Sequence, residues 1–122
     1  MKKFIKWVPS LIVMATIFFS SSTPGQTLQE VGLGNEWLHR TGHFLAFLFL
    51  CLSYFYATRN IVISMVLTVV YGFFDESHQI YTPLRSASWF DIKVDILGAV
   101  IGGLTLWILQ KSKIWPKILQ RV

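Results

Sequence analysis

The sequence has a single cysteine, Cys51, so no intramolecular disulfide can order its loops and packing and hydrogen bonds must do so instead. Cys51 falls within an apolar run and reads as a small apolar filler. Charge is scarce as well: 14% of the 122 residues are charged against 53% hydrophobic, which leaves no room for a separate soluble domain. Internal repeats and low-complexity tracts are absent. The net charge of +5 is not gathered into a basic patch with interleaved aromatics, so a nucleic-acid partner is excluded and topology is the better explanation. There is also no nucleophile paired to an evident base.

What the chain does have is long apolar runs. Residues 44–57, 61–74 and 96–109 are alike in length, and each abuts an ionisable residue at one end only: His43, Asp75 and Asp95. A helix of such a run rises about 21 Å, against a hydrocarbon core of roughly 30 Å. Each span must therefore continue through its polar end, which places His43, Asp75 and Asp95 at a common depth just inside one face of the bilayer. Three helices are expected to converge on one buried polar layer.

The expected fold is an all-α, polytopic membrane protein: a four-helix transmembrane bundle over 1–122 with spans at about 4–20, 38–57, 61–81 and 90–110. With both termini cytoplasmic, the inner side carries Lys2, Lys3, Lys6, Arg59, Lys111, Lys113, Lys117 and Arg121, and the outer side only Arg40, Arg85 and Lys93. That bias turns the polar layer outward. The basic start and apolar stretch of the first span also resemble a secretory signal, but an Ala-x-Ala-like cleavage site is missing and Pro9 interrupts the run, so a retained span is expected. Residues 20–37 read as an external loop, 58–60 as a tight cytoplasmic turn, and Thr82-Pro83 as the stop of the third span, because proline disfavours helix in the residue before it.

Helical spacing puts Ser64, Thr68, Tyr71, Asp75, Gln79 and Thr82 on one stripe of the third span. Glu76 points about 100° from Asp75, so the two carboxylates border a wedge. A charged side chain in hydrocarbon costs several kcal/mol unless paired or hydrated, so this face should look inward. In the fourth span Asp91 and Asp95 are one turn apart, and Gly98 and Gly102 continue their face with a spacing that admits a close neighbour from the second or third span. Lys93 points the other way and is expected to snorkel. On the second span His39 and His43 are a turn apart, beside Arg40 and with Gly42 offering close approach. His39, His43 and His78 with an aspartate could supply a tetrahedral zinc set, but the pattern lacks the glutamate of a His-Glu-x-x-His helix, so neither metal nor cofactor is expected. Arg40 is read as the partner of an acid; for Arg85 pairing and the gripping of a phosphate or carboxylate stand equal.

The segment Asp75-Glu76-Ser77-His78-Gln79-Ile80-Tyr81-Thr82-Pro83-Leu84-Arg85-Ser86-Ala87-Ser88-Trp89-Phe90-Asp91, followed by Asp95 and Gly98-Ala99, resembles the VanZ-like membrane proteins. Arg40-Thr41-Gly42-His43-Phe44 with Phe47 is similar to the element that opens that family's second span, and Pro9 with the serines at Ser20 fits its first. Asp95 departs from the pattern, standing where the family commonly has asparagine. The resemblance implies a multi-pass protein of the bacterial cytoplasmic membrane and a role in resistance to teicoplanin-type glycopeptides.

The expected function is thus a non-enzymatic envelope protein. Its outward pocket, formed by Arg40, His43, Asp75, Glu76, Gln79, Arg85, Asp91 and Asp95, would bind a lipid-linked cell-wall precursor or the glycopeptide itself beside the bilayer. Two alternatives stand next to it: an intramembrane enzyme acting on a lipid-linked substrate with Glu76 as general acid or base, and a structural protein whose polar layer fixes helix register while lateral partners carry the function.

Overall fold

The computed structural model describes residues 2–22, 32, 36–81 and 89–112. The described residues form helices and no strand: α1 (Lys2–Ile5), α2 (Val8–Ser22), α3 (Glu36–Thr58), α4 (Ile61–Gln79) and α5 (Trp89–Lys111). Helices α3, α4 and α5 are long and apolar enough to cross a membrane; α2 is apolar but shorter, with 15 residues.

The first expected span is not one continuous helix. Pro9 has no amide to offer the carbonyl of Ile5, and its ring crowds that carbonyl, so α1 stops at Ile5 and the chain turns through Lys6 and Trp7. The Trp7 amide donates to Phe4 O (3.0 Å), and α2 begins afresh with Leu11 N donating to Trp7 O (3.0 Å). At its far end α2 runs through Ser20, Ser21 and Ser22, so the expected loop starts later than the polar composition implies. Glu36 and Trp37, also expected in that loop, already belong to α3. Residues 23–31 and 33–35, the remainder of that loop apart from Gly32, lie outside the described residues.

The connection between α3 and α4 is as tight as expected. Arg59 takes φ 58°, a left-handed conformation that costs a non-glycine residue about 1 kcal/mol and reverses the chain in one step. Asn60 then caps α4, its Oδ1 accepting from the Ile63 amide at 3.0 Å. Helix α4 ends at Gln79, with Tyr81 N donating to His78 O (3.1 Å), slightly before the expected stop. Thr82-Pro83 and the outer turn up to Ser88 lie outside the described residues.

Helices α3 and α4 are the central pair. Helix α2 packs on both, and so does α5, with α3 against α5 the most extensive contact. Each flank has its own apolar core: Ile17, Phe47, Leu50, Tyr54 and Tyr71 on the α2 side, and Cys51, Phe55 and Leu106 on the α5 side. Cys51 is fully buried, as a filler should be. Large apolar side chains such as Leu11, Val62, Val66, Phe74, Leu104 and Ile108 point outward, which suits acyl chains rather than water.

The α3–α5 contact is made by missing side chains. A Cβ added to Gly98 would lie 2.8 Å from Phe44 O and 3.1 Å from Phe47 Cβ; one on Gly102 would lie 2.9 Å from Cys51 Cβ. The Gly-x-x-x-Gly face therefore packs on the backbone of α3, one of its two expected partners.

The chain direction alternates, so the ends of α2 and α4 and the starts of α3 and α5 share one end of the bundle. At the opposite end lie Lys2, Lys3, Lys6, Arg59 and Lys111.

Candidate functional site

Counting inward from the shared end, Asp75 lies about one turn into α4, Asp95 under two turns into α5 and His43 about two turns into α3. That is a layer roughly 6–10 Å deep. The residues at the edges of the apolar runs do fall at a similar level, and what they meet there differs between the two flanks.

On the α5 flank, His43 Nδ1 is 3.3 Å from Asp95 Oδ1, with Asp95 only 1% exposed. Glu76 joins them: one donor atom each of His43, Glu76 and Asp95 lie within 4.8 Å of one another. Gly72 on α4 makes room, since a Cβ there would be 3.3 Å from Asp95 Cβ. Above this group the Arg40 guanidinium sits over the Phe90 ring, 4.1 Å from its centroid, a cation–π contact between α3 and α5. Asp91, one turn above Asp95, is half-buried. Lys93 is exposed, as its angle on the helix requires.

On the α2 flank, the Gln79 amide donates to Asp75 Oδ2 (3.1 Å) and to Ser21 Oγ (3.3 Å), using the two hydrogens an amide nitrogen carries. His78 is stacked on Phe18 (4.7 Å between centroids) and lies 2.8 Å from Ser22 Oγ through Nε2. Deeper in, Tyr71 donates its hydroxyl to Met14 O (2.7 Å). Asp75 and Glu76, adjacent in sequence, thus serve different flanks. Their angular separation on α4 becomes a division of partners.

The stripe Ser64, Thr68, Tyr71, Asp75 and Gln79 is buried from end to end, while Thr82 lies outside the described residues. Its lower hydroxyls satisfy themselves locally: Ser64 Oγ bonds Asn60 O and Thr68 Oγ1 bonds Ser64 O, each at 2.7 Å. The upper carboxylates do not. Among the described residues, Asp75 Oδ1, both oxygens of Glu76 and Asp95 Oδ2 are buried without a hydrogen-bond partner.

A groove of about 310 Å³ opens between α2 and α3, lined by Thr16, Ile17 and Ser20 on one side and by Leu38, His39, Gly42, His43 and Ala46 on the other. Gly42 was expected to admit a close helix; instead nothing lies within 4 Å of where its Cβ would be, and the absent side chain leaves the groove open. His39 lies against His43, ring centroids 4.5 Å apart. The zinc set considered from spacing does not assemble with His78, which is engaged with α2. Arg85 lies outside the described residues.

Ser21 and Ser22 escaped the sequence reading, assigned to a loop by their polarity. A signal was present: Ser10, Met14, Ile17 and Ser21 recur at helical spacing, and Ser10, Ile17 and Ser21 are the buried residues of α2.

A family model described as VanZ/LLP1 matches residues 6–110, nearly the whole of the helical region. No curated protein and no solved structure matches the chain.

Proposed function

The chain belongs to the VanZ/LLP1 family, and from that premise we propose that it is a multi-pass protein of the bacterial cytoplasmic membrane that lowers sensitivity to teicoplanin-type glycopeptides by binding a lipid-bearing ligand in the α2–α3 groove. In this reading α2 is a retained fourth span and both termini are cytoplasmic. The polar layer then lies near the outer leaflet, where lipophilic glycopeptides and lipid-linked cell-wall precursor meet. The end of the bundle that carries Lys2, Lys3, Lys6, Arg59 and Lys111 is the one expected to stay inside.

The observation that carries the reading is the shared wall. His43 lines the groove and also pairs with Asp95 in the ionic layer, so a ligand in the groove meets apolar Ile17, Leu38 and Ala46 together with the imidazoles of His39 and His43. That is the lining expected for an amphiphile: apolar contact for a chain, a few placed polar groups for a head. At about 310 Å³ the groove is at the small end of ligand pockets, the size of a chain and part of a headgroup and far too small for a whole glycopeptide.

Expression in a susceptible bacterium, with teicoplanin and vancomycin sensitivity measured side by side, tests the role. Reduced teicoplanin sensitivity is expected, and no change for either drug sinks it. Gly42→Leu tests the groove separately, because the new side chain enters open space and leaves the bundle contacts alone. Loss of the phenotype at unchanged protein level is expected; a fully active Gly42→Leu variant rules the groove out.

A further inference from the structure

The geometry points to a divalent transition-metal site formed by His43, Glu76 and Asp95, one ligand from each of α3, α4 and α5. It goes beyond the proposed role in drug sensitivity and stands or falls on its own measurement.

Three observations carry it. First, the donor atoms are already gathered within 4.8 Å of one another, and the 3.3 Å between His43 Nδ1 and Asp95 Oδ1 is close to the roughly 3.4 Å that separates two tetrahedral ligands bound at about 2.1 Å to one ion. Second, Glu76 is 97% buried, with relative exposure of 3%, and neither of its oxygens has a hydrogen-bond partner among the described residues; Asp95 Oδ2, on a side chain 1% exposed, has none either. Native proteins rarely leave a buried carboxylate in that state, because desolvation of the charged form costs several kcal/mol, which a cation, hydrogen bonds or protonation must offset. Third, the ligands come from three helices held at fixed spacing by Gly72, Gly98 and Gly102, so the site is built into the packing rather than hung on a loop.

One imidazole nitrogen and two carboxylates are a borderline-hard donor set, which selects zinc, manganese or ferrous iron over calcium or copper(I). Three protein ligands leave at least one position for water or a ligand oxygen, the pattern of reactive rather than purely structural sites. The neighbouring carboxylate of Asp75 is outside the set. It is turned to Gln79 and the α2 flank.

The test uses the full chain purified in detergent, stripped with a chelator and titrated with Zn(II) and, separately, Mn(II), with bound metal counted after desalting. One ion per chain is expected for at least one of the two metals. Glu76→Gln and Asp95→Asn should each weaken binding at least tenfold, and Asp75→Asn should leave stoichiometry unchanged. If the ligand variants do not fold, X-ray absorption of the wild-type protein loaded with the bound metal decides: a shell of N/O donors with one imidazole is expected. No saturable uptake of either metal overturns the proposal. So does an absorption spectrum with two or more imidazoles, which would indicate the His39–His43 pair, or a Glu76→Gln variant that binds as tightly as wild type.

Discussion

The two flanks of the central α3–α4 pair are held in different ways. Helix α5 is seated by steric fit: its glycines bring it so near the α3 backbone that no side chain can intervene, and ionic groups carried on the same face are pressed into the interior. Helix α2 is seated by directional polar contacts, from Ser21 and Ser22 to Gln79 and His78 and from the Tyr71 hydroxyl to Met14 O, with a groove left between α2 and α3. Close packing on the α5 flank leaves both Glu76 oxygens and Asp95 Oδ2 without a hydrogen-bond partner among the described residues, whereas hydrogen-bonded packing on the α2 flank leaves one carboxylate oxygen, Asp75 Oδ1, in that state and keeps open space beside it. In this bundle the trapped carboxylates and the open groove meet at one residue, His43.

Substitutions can break that contrast, and the largest effect is expected on the α5 flank. Gly98→Leu drives a side chain into Phe44 O and Phe47, and should destabilise the bundle by more than about 3 kcal/mol, read as loss of the folded species in detergent unfolding. A stable Gly98→Leu protein would show that α5 is not seated by close fit. Next comes His43→Ala, which removes the polar partner of buried Asp95 and should cost about 2 kcal/mol in the same assay. A cost near zero would mean that the pair is not formed.

Smaller effects belong to the α2 flank. Tyr71→Phe deletes one hydrogen bond to Met14 O and should cost about 1 kcal/mol, with protease susceptibility rising in α2 before it rises elsewhere. Uniform loss across all helices would erase the distinction between the flanks. The smallest change is expected from Gly42→Ala: the methyl group meets nothing, and the gain in helix propensity should stabilise α3 by up to about 1 kcal/mol. Destabilisation there would mean that the groove is filled in the folded protein.

Much of this was legible beforehand. The apolar runs located α3, α4 and α5 to within a few residues, the buried stripe on α4 followed from the helical repeat, and the Gly98–Gly102 face announced a close neighbour. Other features were misread for a common reason. Gly42 looked like a contact and proved to be an opening; Ser21 and Ser22 looked like loop and proved to be the last turn of a packed helix. Composition reports what a residue tolerates, not which neighbour it meets.

The 3.6-residue repeat sets the angle of every side chain about its own helix axis, so the chain alone determined that Asp75 and Glu76 diverge and that Asp91, Asp95, Gly98 and Gly102 share a face. How each helix is rotated against its neighbours is not an angle about one axis; it follows from which surfaces fit at close range. Only the tertiary structure therefore decided that Glu76 joins His43 and Asp95, that Asp75 and Gln79 turn to Ser21, and that His43 also lines a groove between α2 and α3.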